Sequence, residues 1–146
     1  MNKEKHIELL LNSYEKLLNK KLIERVDPKF DLKTINDADF IVVSHGAQLD
    51  PVFNYANKLA LELWEMDIET FVSLPSKYSA EPTERKIREK LLLATKSKGY
   101  YDQYKGVRVS STGKRFEINN VTVWNLYDEQ NQYYGQAATF RDIKKL

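Results

Sequence analysis

Cysteine is absent from this sequence of 146 residues. Its absence excludes disulfide bonds, thiolate metal sites, cysteine nucleophiles and cofactors attached through sulfur. Only five glycines occur and they are not clustered, so no glycine-rich phosphate-binding loop is present. The two histidines, His6 and His45, each lack a second histidine at the spacing of a helical zinc motif. The sequence therefore predicts no metal site and implies no particular cofactor, and it leaves room for an unknown, noncovalently bound small molecule.

Long hydrophobic runs and an excess of charge of one sign are also missing. The longest apolar stretches are far too short to cross a bilayer, and the one that follows the basic N-terminus is interrupted by Asn12, Ser13 and Glu15. The 23 basic and 21 acidic residues nearly balance, whereas a nucleic-acid-binding domain usually carries a clear basic excess. We therefore expect a cytoplasmic protein that binds neither membrane nor nucleic acid.

The first 30 residues predict an amphipathic helix and a connection. Apolar residues recur there at steps of three and four, which places them on one stripe. These residues are Ile7, Leu10, Leu11, Tyr14, Leu17, Leu18 and Leu22. The stripe suits cover by the chain's own domain, by a second copy or by a partner. Asp27-Pro28 and the polar stretch 31–39 break the pattern. We therefore divide the chain into residues 1–30, the helix and its connection, and residues 31–146, the main domain.

The main domain begins with two predicted strands and two predicted helices. Phe40–Val43, closed by Ser44-His45-Gly46, predicts a central buried strand, and Val52–Tyr55 predicts a second short strand. Asn57 and Asp67 each precede a short helical pattern and are suited to accept the free N–H groups of a first helical turn. These features predict an α+β domain.

A longer helix and a meander complete the predicted domain. The helix covers 83–98, with a buried stripe of Ile87, Leu91 and Ala94 and with Gly99 as its C-cap. From Tyr100 onward the apolar period becomes two, which predicts three antiparallel strands. The phase of that alternation changes at Asn119-Asn120, which indicates either a β-bulge or a strand covered on both faces.

The order of two strands, helices and three strands is that of PAS domains, and local motifs resemble that family. Asn57-Lys58-Leu59-Ala60 resembles the start of the first PAS helix, Gly113–Phe116 the turn before the long strand, and Arg141-Asp142-Ile143 the closing motif. The sequence departs from the pattern at Leu63–Met66, where PAS domains often carry a leucine followed by glycine.

The chain resembles the MEKHLA domain, a PAS-like family, more closely still. The residues that carry this resemblance span nearly the whole chain: Lys5–Ile7, Leu11–Tyr14, Val43–Gly46, Asp50-Pro51, Asn54–Asn57, Leu61–Met66, Leu74–Ser76, Ser79–Pro82, Gly106–Arg108, Ser110–Gly113, Trp124–Leu126 and Gly135–Ala138. The resemblance implies a five-stranded antiparallel sheet with helices on one face, preceded by the amphipathic N-terminal helix. The family has no established activity, so the resemblance predicts the fold and not the function.

PAS-like folds bind small ligands between their helices and their sheet. The resemblance therefore implies that large and polar side chains of those two layers are candidates for ligand binding. The ligand-binding candidates are His45, Asn57, Trp64, Phe71, Tyr104, Arg108, Trp124 and Gln136. The aromatic members suit a pocket lining but also a plain core, while the polar members offer donors and acceptors that need partners once buried. An inward Gln136 beside Trp124 would favour a polar ligand or ordered water.

No catalytic constellation accompanies these candidates. The ordinary pKa of histidine lies near neutral pH, which would suit His45 to acid–base chemistry, but a lone histidine with no placed partner favours a structural role at the end of a strand. No serine lies in a nucleophile-elbow motif. We therefore predict that the chain is not an enzyme.

We predict a stand-alone sensory module that binds a small molecule and signals through dimer or partner contacts. The N-terminal helix is the expected site of a homodimer. The chain ends at Leu146, directly after the PAS-like ending, so we expect any effector to be a separate protein. The alternative is a ligand-free interaction or dimerisation module with a filled core. A small enzyme that uses His45 as general base is a third reading, which needs an open cleft and a nearby acid.

Overall fold

An antiparallel sheet of six strands forms the centre of the computed structural model, which describes residues 2–146. The strands are β1 (Ile41–Gly46), β2 (Phe53–Ala56), β3 (Tyr100–Val109), β4 (Arg115–Tyr127), β5 (Tyr133–Phe140) and β6 (Asp142–Lys145). Their order across the sheet is β2-β1-β5-β4-β3. The short β6 pairs with the first half of β4, beyond the stretch that pairs with β5. The five predicted strands are confirmed, and β6 is an addition because the residues after Phe140 still find an open edge of β4.

One face of the sheet is covered by helices from the middle of the chain. They are α3 (Lys58–Trp64), α4 (Ile68–Phe71), a 3₁₀ turn (Ser76–Ser79) and α5 (Pro82–Lys98). The predicted caps are confirmed, since Asn57 accepts the N–H of Ala60 at 3.2 Å and Asp67 accepts that of Thr70 at 2.8 Å. Burial of apolar side chains between these helices and the sheet is the main stabilising contribution to this layer. We call this side of the sheet the helical face.

The opposite face is also covered, which is one of the alternatives that the sequence left open. There α1 (Lys3–Leu18) lays its apolar stripe on the sheet, and Ile7, Leu10 and Leu11 have no exposed surface. Their partners include Trp124 and Leu126 of β4. The expectation of helices on one face is therefore incomplete, because the N-terminal helix folds back on its own domain. We call this side the reverse face.

A further helix, α2 (Pro28–Asn36), occupies the segment that the sequence indicated as a connection. Asp27 is its N-cap and accepts the N–H groups of Lys29 and Phe30 at 3.0 and 3.1 Å. Proline is well tolerated at the first helical position, because the N–H that it lacks would have no partner within the helix. Asp27-Pro28 thus begins a helix rather than merely breaking one, and the predicted division at residue 30 falls inside α2.

The change of phase in β4 is a β-bulge, and the sheet is also covered on both faces. Asn120 has a φ of 53°, and the pairing with β3 shifts between Tyr104 and Gly106. Ile118 and Val121, three residues apart, consequently both join the core on the helical face. After the bulge, Val121 and Val123 face the helical layer while Trp124 and Leu126 face α1.

Glu65 stands where the PAS pattern has glycine, and it adopts the left-handed conformation with a φ of 56°. Its carboxylate accepts hydrogen bonds from Ser110 and Thr112 and pairs with Lys114 at 3.2 Å, all on the turn between β3 and β4. These hydrogen bonds lower the pKa of Glu65 to about 2, with Ser110 the largest contributor. The side chain therefore offsets the backbone strain by tying α3 to the β3–β4 turn.

Candidate functional site

A cavity lies between α5 and the helical face of the sheet. The centres of water-sized spheres can occupy about 60 Å³ of it, several times the roughly 10–15 Å³ that one water needs. Its walls are mainly apolar, with several polar residues set among them. The lining residues are Val43, Ser44, His45, Phe53, Trp64, Ser79, Arg88, Leu91, Leu92, Tyr104, Arg108, Ile118, Val121, Val123, Gln136, Ala137, Ala138 and Phe140. This composition, apolar walls with a few convergent polar groups, is typical of a small-molecule site.

Arg88 reaches the cavity from α5. The predicted buried stripe of this helix is wrong at Ile87, which is 55% exposed, while Arg88 is only 7% exposed. The residues of α5 that the structure buries are Arg88, Leu91 and Thr95. Because α5 carries polar residues on every side, apolar spacing alone did not fix its rotation. The guanidinium of Arg88 donates one hydrogen bond to the protein, from Nη2 to Ser76 Oγ.

Arg108 reaches the same cavity from β3. The inward-facing positions of this strand are Tyr104, Gly106 and Arg108, so Arg108 is 6% exposed while the neighbouring valines, Val107 and Val109, are half-buried. Its guanidinium donates from Nη1 to the carbonyl of Val107 at 2.9 Å and from Nη2 to the hydroxyl of Tyr104 at 3.3 Å. Gly106 makes room for this arrangement, because a β-carbon there would lie 2.6 Å from the Tyr104 hydroxyl.

Neither buried arginine has an acidic partner within residues 2–146. The arginines that form ion pairs in this part of the chain are Arg25, Arg115 and Arg141. Arg88 and Arg108 have no carboxylate of the described residues within 4.0 Å of their guanidinium groups. Burial lowers the pKa of Arg88 to about 10, and the positive charge of Arg108 acts in the same direction. The guanidinium of Arg88 therefore still carries a charge at neutral pH. A buried charge without a partner is costly, which makes this cluster the most unusual feature of the interior.

His45 and Trp64 also line the cavity, and each has one buried polar atom without a hydrogen-bond partner in the described part of the chain. His45 is 7% exposed, and its Nδ1 donates to the carbonyl of Gly46 at 2.9 Å, so in the neutral ring Nε2 is an acceptor. His45 Nε2 and Trp64 Nε1 are both buried and have no hydrogen-bond partner. Native interiors leave few such atoms unsatisfied. Their place on the cavity wall indicates room for a group that is not part of the protein.

Gln136 faces the cavity, but not beside Trp124. It is 2% exposed and donates from Nε2 to the carbonyl of Leu92 at 3.0 Å and to Asn125 Oδ1 at 3.1 Å. Trp124 pairs with Ala137 and lies on the reverse face, where its Nε1 donates to the carbonyl of Leu10 at 3.2 Å. The two predicted residues therefore lie on opposite sides of the sheet.

The structure brings five of the eight predicted binding residues to the cavity: His45, Trp64, Tyr104, Arg108 and Gln136. Asn57, Phe71 and Trp124 do not line it. Asn57 accepts from Val42 and Ala60 and donates to Ile35 and Phe40, which uses all four of its hydrogen-bonding positions. Phe71 stacks on Phe53 with ring centroids 4.2 Å apart. That the five cavity residues bind a ligand stays a prediction.

Arg88 is the cavity residue that the sequence reasoning missed. It lies three residues before Leu91 and four after Glu84, so helical spacing does place it beside the one correctly predicted member of the stripe. An arginine at such a position is usually taken for a surface residue, because long charged side chains extend to solvent. Only the position of α5 over the sheet distinguishes the two cases.

A surface groove adjoins the cavity. It runs between α5 and the loop that joins β1 to β2, and it shares His45, Arg88, Leu92 and Gln136 with the cavity lining. These four side chains form the partition between groove and interior. Leu92 is only partly buried.

Acid should destabilise the fold through its two histidines. Burial lowers the pKa of His45 and of His6 from 6.5 to about 4; His6 lies on the reverse face, 2.9 Å from Ser44 Oγ. Between these pH values the unfolded chain binds protons that the folded chain does not, so stability falls as the pH falls from 6.5 towards 4. For His45 the loss should reach about 3 kcal/mol at most.

Urea unfolding at a series of pH values measures this effect. His45→Gln and His6→Gln should each remove part of the slope between pH 6.5 and 4, and the double variant should flatten it. An unchanged slope in the double variant would show that carboxylates govern acid stability in this range.

The fold that holds this cavity is PAS-like. The structure is similar to that of a PAS domain from Colwellia psychrerythraea, with 18% identity, a TM-score of 0.70, and cover of 80% of this chain and 96% of that one. It is also similar to a PAS domain from a two-component sensor histidine kinase, with 17% identity, a TM-score of 0.62, and cover of 81% and 95%. A light-oxygen-voltage domain studied with a flavin analogue matches at 14% identity and a TM-score of 0.62, with cover of 79% and 83%.

The MEKHLA domain matches residues 4–145, and the chain belongs to that family. The resemblance inferred from the sequence is thereby confirmed. No curated protein matches the chain. Within residues 2–146 no helix is both long and apolar enough to span a bilayer, and no cluster of three or more side chains suits a metal ion. The cytoplasmic location stays a prediction.

Proposed function

We propose that this protein is a sensory domain that holds a small molecule noncovalently in the cavity between α5 and the sheet. The observation that carries the proposal is the polar part of the cavity lining: two guanidinium groups that have no acidic partner within residues 2–146, and His45 Nε2 and Trp64 Nε1, which have no hydrogen-bond partner there. Folding places these atoms out of water at a cost that a bound molecule would offset. The PAS-like fold of the family supports a sensory role.

A ligand-free interaction module is the main rival, and it fits the interior less well. Such a module needs a filled core, for which apolar side chains in place of the two arginines would be more stable. An enzyme that uses His45 as general base has less support still. His45 Nδ1 donates to a backbone carbonyl rather than to a carboxylate, and Asp50 pairs with Lys77 at 3.1 Å. We propose a binding role without catalysis.

A continuous set of contacts leads from the cavity to α1. Gln136 donates to Asn125, which donates from Nδ2 to the carbonyl of Lys96 at 3.1 Å and from its backbone N–H to that of Gly99 at 2.8 Å. Gly99 lies against α1, since a β-carbon on it would be 2.9 Å from Leu17 Cδ2. We propose that occupancy of the cavity shifts the end of α5 and thereby α1.

The output surface would be the outside of α1. Its apolar stripe is buried in the chain's own reverse face, so a homodimer or a separate effector must contact the polar residues that remain exposed, such as Lys3, Glu4 and Asn12. A polar surface of this kind suits a transient contact more than an obligate one. Both assemblies stay proposals.

Native mass spectrometry of freshly purified protein tests the binding proposal. We expect an additional small mass that is lost on denaturation. Ala138→Leu is the matched variant: Ala138 lines the cavity, and the added carbons should fill the space and remove the adduct without unfolding the protein. Gly113→Ala, in an open turn, is the control that should keep the adduct.

The two tryptophans report where a ligand binds. In an ¹H–¹⁵N spectrum the indole signal of Trp64 should move with occupancy, whereas that of Trp124, on the reverse face, should not. The interaction module would be supported instead by a native mass without any adduct, together with a Trp64 indole signal that does not move when metabolites from a cell extract are added. The same mass spectra give the oligomeric state.

A further inference from the structure

We infer that the molecule bound in the cavity is a small organic carboxylate, with its carboxylate held by Arg88 and Arg108 and its short apolar part among the aromatic walls. The inference rests on the proposed function and specifies the chemical class of its ligand. It starts from the two buried guanidinium groups of the cavity, neither of which has a carboxylate within 4.0 Å in residues 2–146.

The two guanidinium groups converge from independent elements. Arg88 comes from α5 and Arg108 from β3, and both line one cavity. Ten N–H donors are available from two guanidinium groups. The protein accepts three hydrogen bonds from them, at Ser76, Val107 and Tyr104. The remaining donors suit a planar carboxylate, which guanidinium binds through two parallel hydrogen bonds.

The rest of the lining selects against a large or fully polar anion. Beyond the arginines the walls are formed by side chains such as Phe53, Trp64, Ile118, Val121 and Phe140. The available space is only a few waters in size, so the apolar part can have only a few carbon atoms. A phosphate or sulfate would leave those apolar walls without contacts. A short-chain carboxylate matches both parts of the cavity.

The groove that adjoins the cavity carries the same sign of charge. Its lining includes Lys77, Arg85, Arg88 and Lys96, against the two acids Asp50 and Glu89. A cleft with an excess of one charge concentrates ions of the opposite charge and speeds their association. The approach and the cavity therefore both favour an anion.

Binding of butyrate and of butyramide, which have nearly the same shape and differ in charge, tests the inference. At millimolar concentration and constant ionic strength, we expect butyrate to raise Tm and to move the Trp64 indole signal, and butyramide to do neither. Arg88→Met and Arg108→Met should each weaken butyrate binding at least tenfold. Arg141→Met, a surface variant outside the cavity, should leave it unchanged.

The melting of the apo variants gives a second readout. Because each substitution removes an unpaired buried charge, Arg88→Met and Arg108→Met should melt no lower than the parent without ligand. A lower Tm for both would show that the arginines are structural and would overturn the inference. If either variant fails to fold, the comparison of butyrate with butyramide in the parent decides the matter alone.

The outcomes separate this inference from the proposed function. Equal effects of butyramide and butyrate at Trp64 would overturn the carboxylate while leaving a binding cavity. An equal effect of chloride or inorganic phosphate would assign the site to inorganic anions and also overturn it. No effect from any of these compounds, with no adduct in native mass spectra, would count against both proposals.

Discussion

Replacing Trp124 by alanine should lower the free energy of unfolding by about 3–5 kcal/mol, as for other large buried aromatic residues. Trp124 has no exposed surface and lies edge-on to Tyr14 of α1, with ring centroids 4.9 Å apart. Its indole N–H donates to the carbonyl of Leu10 at 3.2 Å. The substitution would therefore open a cavity at the contact that attaches α1 to the sheet and remove the hydrogen bond from the indole to α1.

Urea unfolding followed by circular dichroism measures the loss. Trp124→Phe should lose less, because it keeps an aromatic ring against Tyr14 and removes only the N–H and part of the volume. Phe30→Ala, at a residue that is 55% exposed on α2, is the surface control and should change stability by about 0.5 kcal/mol or less.

The same variant separates the two faces of the sheet. If Trp124 belongs only to the reverse-face core, Trp124→Ala should keep its cavity ligand at temperatures well below its lowered Tm. Loss of ligand from a protein that is still folded would mean that the reverse face takes part in the site.

Most of the fold could be predicted from the sequence because helix caps, turns and strand alternation depend on residues that are close together in the chain. Asn57 and Asp67 cap helices through contacts three residues away, and Gly99 ends α5 with a φ of 103°. The alternation after Tyr100 gave the meander. The face that a helix covers is different, because it depends on a partner far away in the chain. The stripe of α1 therefore indicated a helix but left open whether its own sheet, a copy or a partner covers it.

The candidate site was predictable in part for the same reason. Trp64 and Trp124 are the same residue type in similar apolar surroundings, yet one lines the cavity and the other lies against α1. The inward position of Arg108 could be suspected from its strand, because successive side chains of a strand point to opposite faces of the sheet and Arg108 must lie on one of them. Arg88 could not, because the rotation of α5 depends on which side chains the sheet accepts. The most informative pair of residues therefore emerged only when both elements were placed.

Gly135→Ala should be the second strongly destabilising substitution, with a loss of about 3 kcal/mol. Gly135 lies in β5 opposite Gly46 of β1, where the two strands approach closely. A β-carbon on Gly135 would overlap the carbonyl oxygen of His45 and lie 3.2 Å from its carbonyl carbon. Backbone atoms cannot rotate out of the way, so the strands must separate and weaken the ladder at this point.

Gly113→Ala is the matched control for this effect. Gly113 has a φ of 85° with open space around its Cα, so alanine there adds conformational strain of roughly 1–2 kcal/mol and no collision. In urea unfolding, the free energy of unfolding of Gly135→Ala should therefore be well below that of Gly113→Ala. Equal losses would mean that φ, rather than the close approach of β1 and β5, is what requires glycine at 135.

Gly135→Ala should also act on the site, which Gly113→Ala should not. Separation of β5 from β1 would move His45 and Gln136, a paired couple in the register of these strands and two of the four residues between groove and cavity. The folded fraction of Gly135→Ala should then bind butyrate more weakly than the parent, with a smaller shift of the Trp64 indole signal. Because binding to the folded state adds to stability by mass action, butyrate should rescue the Tm of Gly113→Ala more than that of Gly135→Ala.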